Sequence, residues 1–259
     1  MGAIFSTFIY NPLYNLLIFV YNIVPFHDFG IAIIIVTLLI KLLLVPLSRK
    51  QIESQKKMNE LQPKIKAIQE KHKDNKEEQS KALMEFYKES KTNPFSGCLP
   101  MIVQLVFLIA IYQVFFNISK AGLSVDAKAL YSFVANPGEI NKMFIGLIDL
   151  SAVLNLSQLT LASVPHIILI LAAAVSQYFQ AKMLMAKQAV VDKNKKVEPK
   201  DDGKPDFTQM MSKQMLYFGP LLTLFIGVKF PAGLALYWLV STGFMIAQQY
   251  MVEKELEKK

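Results

Sequence analysis

The chain has 259 residues, 53% of them hydrophobic, with a formal charge of +8 and a mean hydropathy of +0.33. Those values describe a multi-span membrane protein with basic loops and exclude an ordinary soluble enzyme. The single cysteine, Cys98, rules out an internal disulfide, and His27, His72 and His166 are too scattered for metal-ligand spacing, so no metal or other cofactor is expected.

No positive n-region or small-residue cleavage site marks a signal peptide, and the chain is read as mature from Met1. Met1-Gly2 with Ser6 formally fits a myristoylation pattern, a match too short to carry weight. Residues Ile4 to Val24 are apolar, but Thr7, Asn11, Asn15 and Asn22 share one stripe at helical spacing, interrupted only by Ile18. Tyr10, Tyr14 and Tyr21 suit the headgroup level, and Pro12 would break a continuous span. Residues 1–29 are therefore expected to hold an amphipathic interfacial helix, with a full span as the alternative.

Pro25 and Gly30 mark the turn into the first span, residues 30–48. Its run from Ile31 to Leu47 carries Lys41 close to the middle. A charge there costs roughly 2.5–3.5 kcal/mol on insertion scales, so it ordinarily faces protein or a hydrated cavity. Snorkelling is the competing account, but Arg49 at the charged end lies roughly 12 Å away along a helix. Thr37 sits one turn before Lys41 on the same face.

Residues 49–97 are expected to form a cytoplasmic helical hairpin. Leu61, Ile65 and Ile68 face Leu83, Phe86 and Tyr87 across the turn His72-Lys73-Asp74-Asn75. The turn Asn93-Pro94-Phe95-Ser96-Gly97 leads into the second span, 98–117, with Pro100 in its first turn and Gln104 as its one strongly polar member. Residues 118–163 are mixed and turn-rich, an extracytoplasmic loop. The third span, 164–183, places Gln177 and Gln180 on one face. A charged loop with disordered character follows over 184–213. The fourth and fifth spans, 214–230 and 232–251, are joined at Phe230-Pro231-Ala232-Gly233, and 252–259 is a short tail. Tyr237, Trp238, Ser241 and Thr242 bring polar or amphipathic groups to the last span. No repeat of 20–50 residues is visible, which argues against a repeat-built transporter.

Basic residues fix the expected orientation. Of 28 Lys and Arg, 12 lie between Ser48 and Gly97, 8 between Lys182 and Lys213, and 3 after Met251. The positive-inside bias places these stretches in the cytoplasm, giving five spans with the N-terminus outside and the C-terminus inside. Lys41, Thr37, Gln104, Gln177, Gln180 and Trp238 would then bring polar groups into the bilayer from four spans. They contain no nucleophile–base pair, glycine-rich phosphate loop or intramembrane carboxylate, so the chain is not expected to be an enzyme. A cationic, otherwise apolar pocket suits transient binding of a polar, preferably acidic, segment.

The runs LIKLLLVPLSRKQ, MNELQPKIKAIQEK, MEFYKESKTNPFSGCLPMIVQ and FPAGLALYWLVSTGFMIAQQY occur in order from Ile31 to Met251. In these motifs the chain resembles the YidC/Oxa family of membrane-protein insertases, in the short form without a large extracytoplasmic domain. The resemblance implies an all-α, polytopic five-helix insertase core in a bacterial plasma membrane, with a groove open to cytoplasm and lipid. Its implied partners are nascent membrane proteins and lipids, with the Sec translocon and ribosome as further partners and no DNA. By position it implies that the family's groove arginine falls on Lys41, its third-helix polar residue on Gln180, and its last-helix aromatic pair on Tyr237 and Trp238. Lysine keeps the charge but lacks the planar five-donor fork. Two other readings compete: a small-solute or anion transporter binding at Lys41, and a scaffold for membrane complexes that depends on the Gln51–Lys91 hairpin rather than on Lys41.

Overall fold

The computed structural model describes residues 2–90, 92, 99–120, 124–193 and 207–258. The Asn93–Gly97 turn, Cys98 and the centre of the charged loop, 194–206, lie outside the described residues. The described part is predominantly helical, as expected for an all-α polytopic membrane protein. Helix α1 (Ala3–Phe5) passes through a π-helical turn (Ser6–Tyr10) into α2 (Asn11–Ile23). Then come α3 (Phe29–Leu43), α4 (Val45–Lys71), α5 (Lys76–Glu89), α6 (Leu99–Lys120), the two-stranded antiparallel hairpin β1 (Met143–Phe144) and β2 (Ile148–Asp149), α7 (Val164–Lys193), α8 (Phe207–Lys229) and α9 (Ala232–Glu257).

Among the described residues, Ala3–Ile23 and Leu161–Met183 are long and apolar enough to cross a membrane. Phe29–Leu43 with Val45–Lys71 adds a third as a pair bent by 64°, and Ile102–Ile118 and Leu216–Lys229 are shorter apolar helices. The bend has a local cause. Pro46 lies in the first turn of α4, where its missing N–H is tolerated. The apolar helix stops at Leu43 and a charged one starts two residues later in a new direction.

Lipid tails are as apolar as leucine, so helices in a bilayer associate through close packing rather than hydrophobic exclusion, and small residues mark the tightest approaches. Three glycines do so here. A Cβ on Gly30 of α3 would run into the ring of Phe144 in β1, one on Gly227 of α8 would meet Ile170 of α7, and one on Gly233 of α9 would run into the ring of Phe115 in α6. Phe115 in turn packs edge-to-face on Phe29, 5.5 Å between ring centroids.

The polar stripe of the N-terminal helix has a role that its spacing did not disclose. Asn15 is buried; its side-chain nitrogen donates to the Ala129 carbonyl at 2.9 Å and its oxygen accepts from the Tyr131 amide at 2.6 Å. Asn22 donates to the Ala135 carbonyl at 2.7 Å. Two of the three tyrosines read as headgroup anchors turn inward: Tyr14 and Tyr21 are buried and accept from the amides of Asp126 and Asn141, at 3.0 and 2.8 Å. The stripe therefore clamps the loop after α6. Removing Asn15 strands one donor and one acceptor, at about 1–3 kcal/mol for each group left unsatisfied. Asn15→Ala is expected to speed hydrogen exchange at the Tyr131 amide by about tenfold or more, in line with that loss. An unchanged exchange rate would show that the clamp contributes nothing.

Candidate intramembrane polar site

The helices that start at one end of the molecule are fixed there by the loop between α6 and α7. Buried Asp28 caps α3, accepting from the Ile31 amide at 3.1 Å, and its second oxygen accepts from the Ile145 amide of the β-hairpin at 2.6 Å. The amides of Ala232 and Gly233, which open α9, donate to the carbonyls of Ala152 and Leu150, both at 3.0 Å. Lys142 and Asp149 brace the hairpin through an ion pair of 2.7 Å. Burial alone would raise the Asp149 carboxyl, but Lys142 and two hydrogen bonds from Ser151 outweigh it and hold the group below the ordinary carboxylate value.

With α3, α6 and α9 so placed, Lys41, Gln104 and Ser241 meet. The Lys41 ammonium donates to Gln104 Oε1 at 3.1 Å, and the Ser241 hydroxyl donates to the same oxygen at 2.9 Å. An ammonium has only donors, so it is the amide oxygen that must face it. Gln104 Nε2 is buried without a partner among the described residues, as is the indole Nε1 of Trp238. Tyr237, 2% exposed, lies beside Ser241 and Gln104. Trp238 shares the face of Ser241 three residues on. Among the described residues Lys41 has no ion-pair partner. Among the described residues the cluster thus holds a surplus of donors and a positive charge without a resident anion, a chemistry that receives acceptors.

The other expected members lie apart from this junction. Thr37 is on the same face of α3 and fully buried, but its hydroxyl donates to its own helix at the Ile33 carbonyl, 2.6 Å. Gln177 turns its oxygen toward α8, 3.3 Å from where a Cβ on Gly219 would sit. Gln180 is half-buried, and its side chain makes no hydrogen bond among the described residues. Helical spacing had put Gln177 and Gln180 on one face; the face belongs to the α7–α8 contact at least at Gln177. Sequence reasoning noted Ser241 as polar and left it outside the site, although its position three residues after Trp238 was the available signal.

Comparison with known proteins bears on the same segments. The family model described as 60Kd inner membrane protein matches residues 19–259. The chain belongs to this family. Among its relatives, the membrane protein insertase YidC of Fusobacterium nucleatum is 32% identical over 252 residues, covering 96% of this chain and 98% of the relative. The insertase YidC of Haemophilus influenzae is 33% identical over 253 residues, covering 97% of this chain but 38% of the relative, and that of Wolinella succinogenes is 31% identical, covering 98% and 39%. The chain thus spans nearly all of the first relative and little more than a third of the longer ones.

Proposed function

We propose that this chain is a membrane-protein insertase and membrane chaperone. It receives the hydrophilic end of a nascent membrane protein at the Lys41–Gln104–Ser241 junction and releases the apolar helix sideways into lipid. The observation that carries this is the cationic, donor-rich cluster between apolar helices, lacking any anion of its own among the described residues, in a chain of a family whose relatives are named as insertases. An acidic or carbonyl-rich segment supplies the acceptors that the cluster lacks. Tyr237 and Trp238 supply the aromatic wall, and Gln180 lines the approach from α7.

In this reading α3, α6, α7, α8 and α9 are five spans of a bacterial plasma membrane. The basic α4–α5 segment and the C-terminus lie in the cytoplasm, and the N-terminus lies outside. The lysine-rich α4–α5 segment offers an electrostatic surface to ribosomal RNA, and the Sec translocon is a further partner. Proteoliposomes test the core of it. Vesicles containing the purified chain should integrate a single-span substrate with an acidic translocated tail well above protein-free vesicles of the same lipid. Equal integration in both would end the insertase reading. Solute flux through the same vesicles, lost on Lys41→Ala, would favour anion transport instead.

A further inference from the structure

The segment from Leu150 to Ser163 connects the β-hairpin to α7 and was expected to be an extramembrane loop. It contains no Asp, Glu, Lys or Arg. Leu150 is buried and Leu154 packs partly against the core, but Leu156, Leu159 and Leu161 are exposed, Leu161 to 91%. Leu161 also begins a row that continues down α7 through exposed Val164, Ile168, Leu171, Val175 and Phe179, at spacings of three and four residues. That row is the outward side of a helix long and apolar enough to cross a membrane, and Leu156 and Leu159 lie just ahead of it, interleaved with exposed Asn155, Ser157, Gln158 and Thr160.

Two strained positions lie at the start of α3, where Asp28 ties the β-hairpin to it. Phe26 has φ +61° and is 91% exposed, and Ile145 has φ +48° at the exposed tip of the β-hairpin. A β-branched residue in the left-handed region is a true outlier, and such strain persists only where the surroundings enforce it. Asp28 enforces it here by holding the Ile145 amide while capping α3 two residues after Phe26. A water-facing turn would place glycine or asparagine at such positions; here they hold apolar side chains out.

The backbone of the segment is satisfied within the protein only in part. The Ser157 amide donates to the Asn155 side chain at 3.1 Å, and the Gln158 amide to the Asn155 carbonyl at 3.2 Å. Thr160 and Ser163 form a reciprocal capping box at the start of α7. The Leu150 and Ala152 carbonyls are taken by the α9 amides. The amides of Val153, Leu154, Asn155, Leu156 and Leu159 find no protein acceptor among the described residues. Irregular backbone of this kind does not survive in the hydrocarbon interior, so a segment carrying exposed leucines belongs at its boundary, where headgroups and water reach the backbone.

We propose that residues 153–161, with Phe26 and the Ile145 tip, form a lipid-seated strap, its apolar side chains in the acyl–headgroup boundary of the leaflet at which α3, α7 and α9 begin. The ligand class is the bilayer itself, not a protein partner. Because Leu150 and Ala152 hold the first amides of α9, the strap sets the depth of the helix that carries Tyr237, Trp238 and Ser241.

Nitroxide depth measurement tests this independently of insertion activity. Single cysteines are placed at Phe26, Leu156 and Leu159 in a Cys98→Ser chain, and the spin-labelled protein is reconstituted in phosphatidylcholine–phosphatidylglycerol vesicles. Exposed Lys128 in the neighbouring loop serves as the water reference. The strap sites should favour collision with oxygen over a water-soluble nickel chelate several-fold more than the label at Lys128. A label at Ser157, polar and exposed, samples the same segment with every leucine intact and should behave like its neighbours. Nickel accessibility at Ser157 and Leu159 equal to that at Lys128 overturns the proposal and returns the leucines to water or to a protein partner.

Discussion

Lys41→Ala should lower integration of an acidic-tailed substrate by about tenfold or more in proteoliposomes, the range set by one charge-assisted hydrogen bond of about 1.5–3 kcal/mol. Lys41→Arg should retain most of it. Among the described residues the ammonium is the only formal charge in the junction, and its oxygen partner is a neutral amide that also receives Ser241. Alanine leaves Gln104 Oε1 with Ser241 alone, so the resident structure is little disturbed while the attraction for an incoming carboxylate is lost. Arginine keeps the charge and can reach the same oxygen with a second N–H to spare. A neutral-tailed substrate is the internal control, since its integration should depend far less on residue 41. If alanine integrates the acidic substrate as well as the wild type, charge capture is the wrong mechanism for this chain. Gln104→Leu divides the roles further, because it removes the acceptor that holds the ammonium and keeps the charge.

Gly233→Ala should be the most damaging single methyl in the described fold. The added carbon would occupy the space of the Phe115 ring, and Phe115 cannot retreat because Phe29 packs on its edge. Overpacking of this kind costs about 1–3 kcal/mol, a fall of about 2–12 °C in the melting midpoint of a chain this size. The same glycine donates its amide to Leu150, so any outward shift of α9 also loosens the loop that caps it. Thermal unfolding in detergent reads the loss. Phe115→Leu, which makes room, should be mildly destabilising alone and should recover much of the loss when combined with Gly233→Ala. Additive losses in the double variant would show that the ring is not the obstacle.

The apolar periodicities, the basic stretches and the isolated Lys41 were legible in the sequence because each is a property of neighbouring residues on one helix. Insertion cost depends on the local run of side chains, so Lys41 stood out without any knowledge of its partners. The family likeness was legible for the same reason, resting on short ordered motifs from Ile31 to Met251 that the match over residues 19–259 covers.

Which polar groups share a site depends on how helices are rotated about their axes, and that is settled by contacts between residues far apart in the chain. Gln104 meets Lys41 and Ser241 across separations of 63 and 137 positions. Gln177, equally polar and equally expected, turns to Gly219 because a missing Cβ makes room there. The N-terminal stripe shows the same limit. Asn15, Asn22, Tyr14 and Tyr21 have the pattern of an interfacial helix, yet their partners are loop amides and carbonyls more than a hundred residues on. A polar stripe states only that hydrogen bonds must be satisfied. Whether lipid headgroups or a folded loop satisfies them was decided by the tertiary structure, because apolar surroundings leave an unpaired donor no alternative but the nearest protein acceptor.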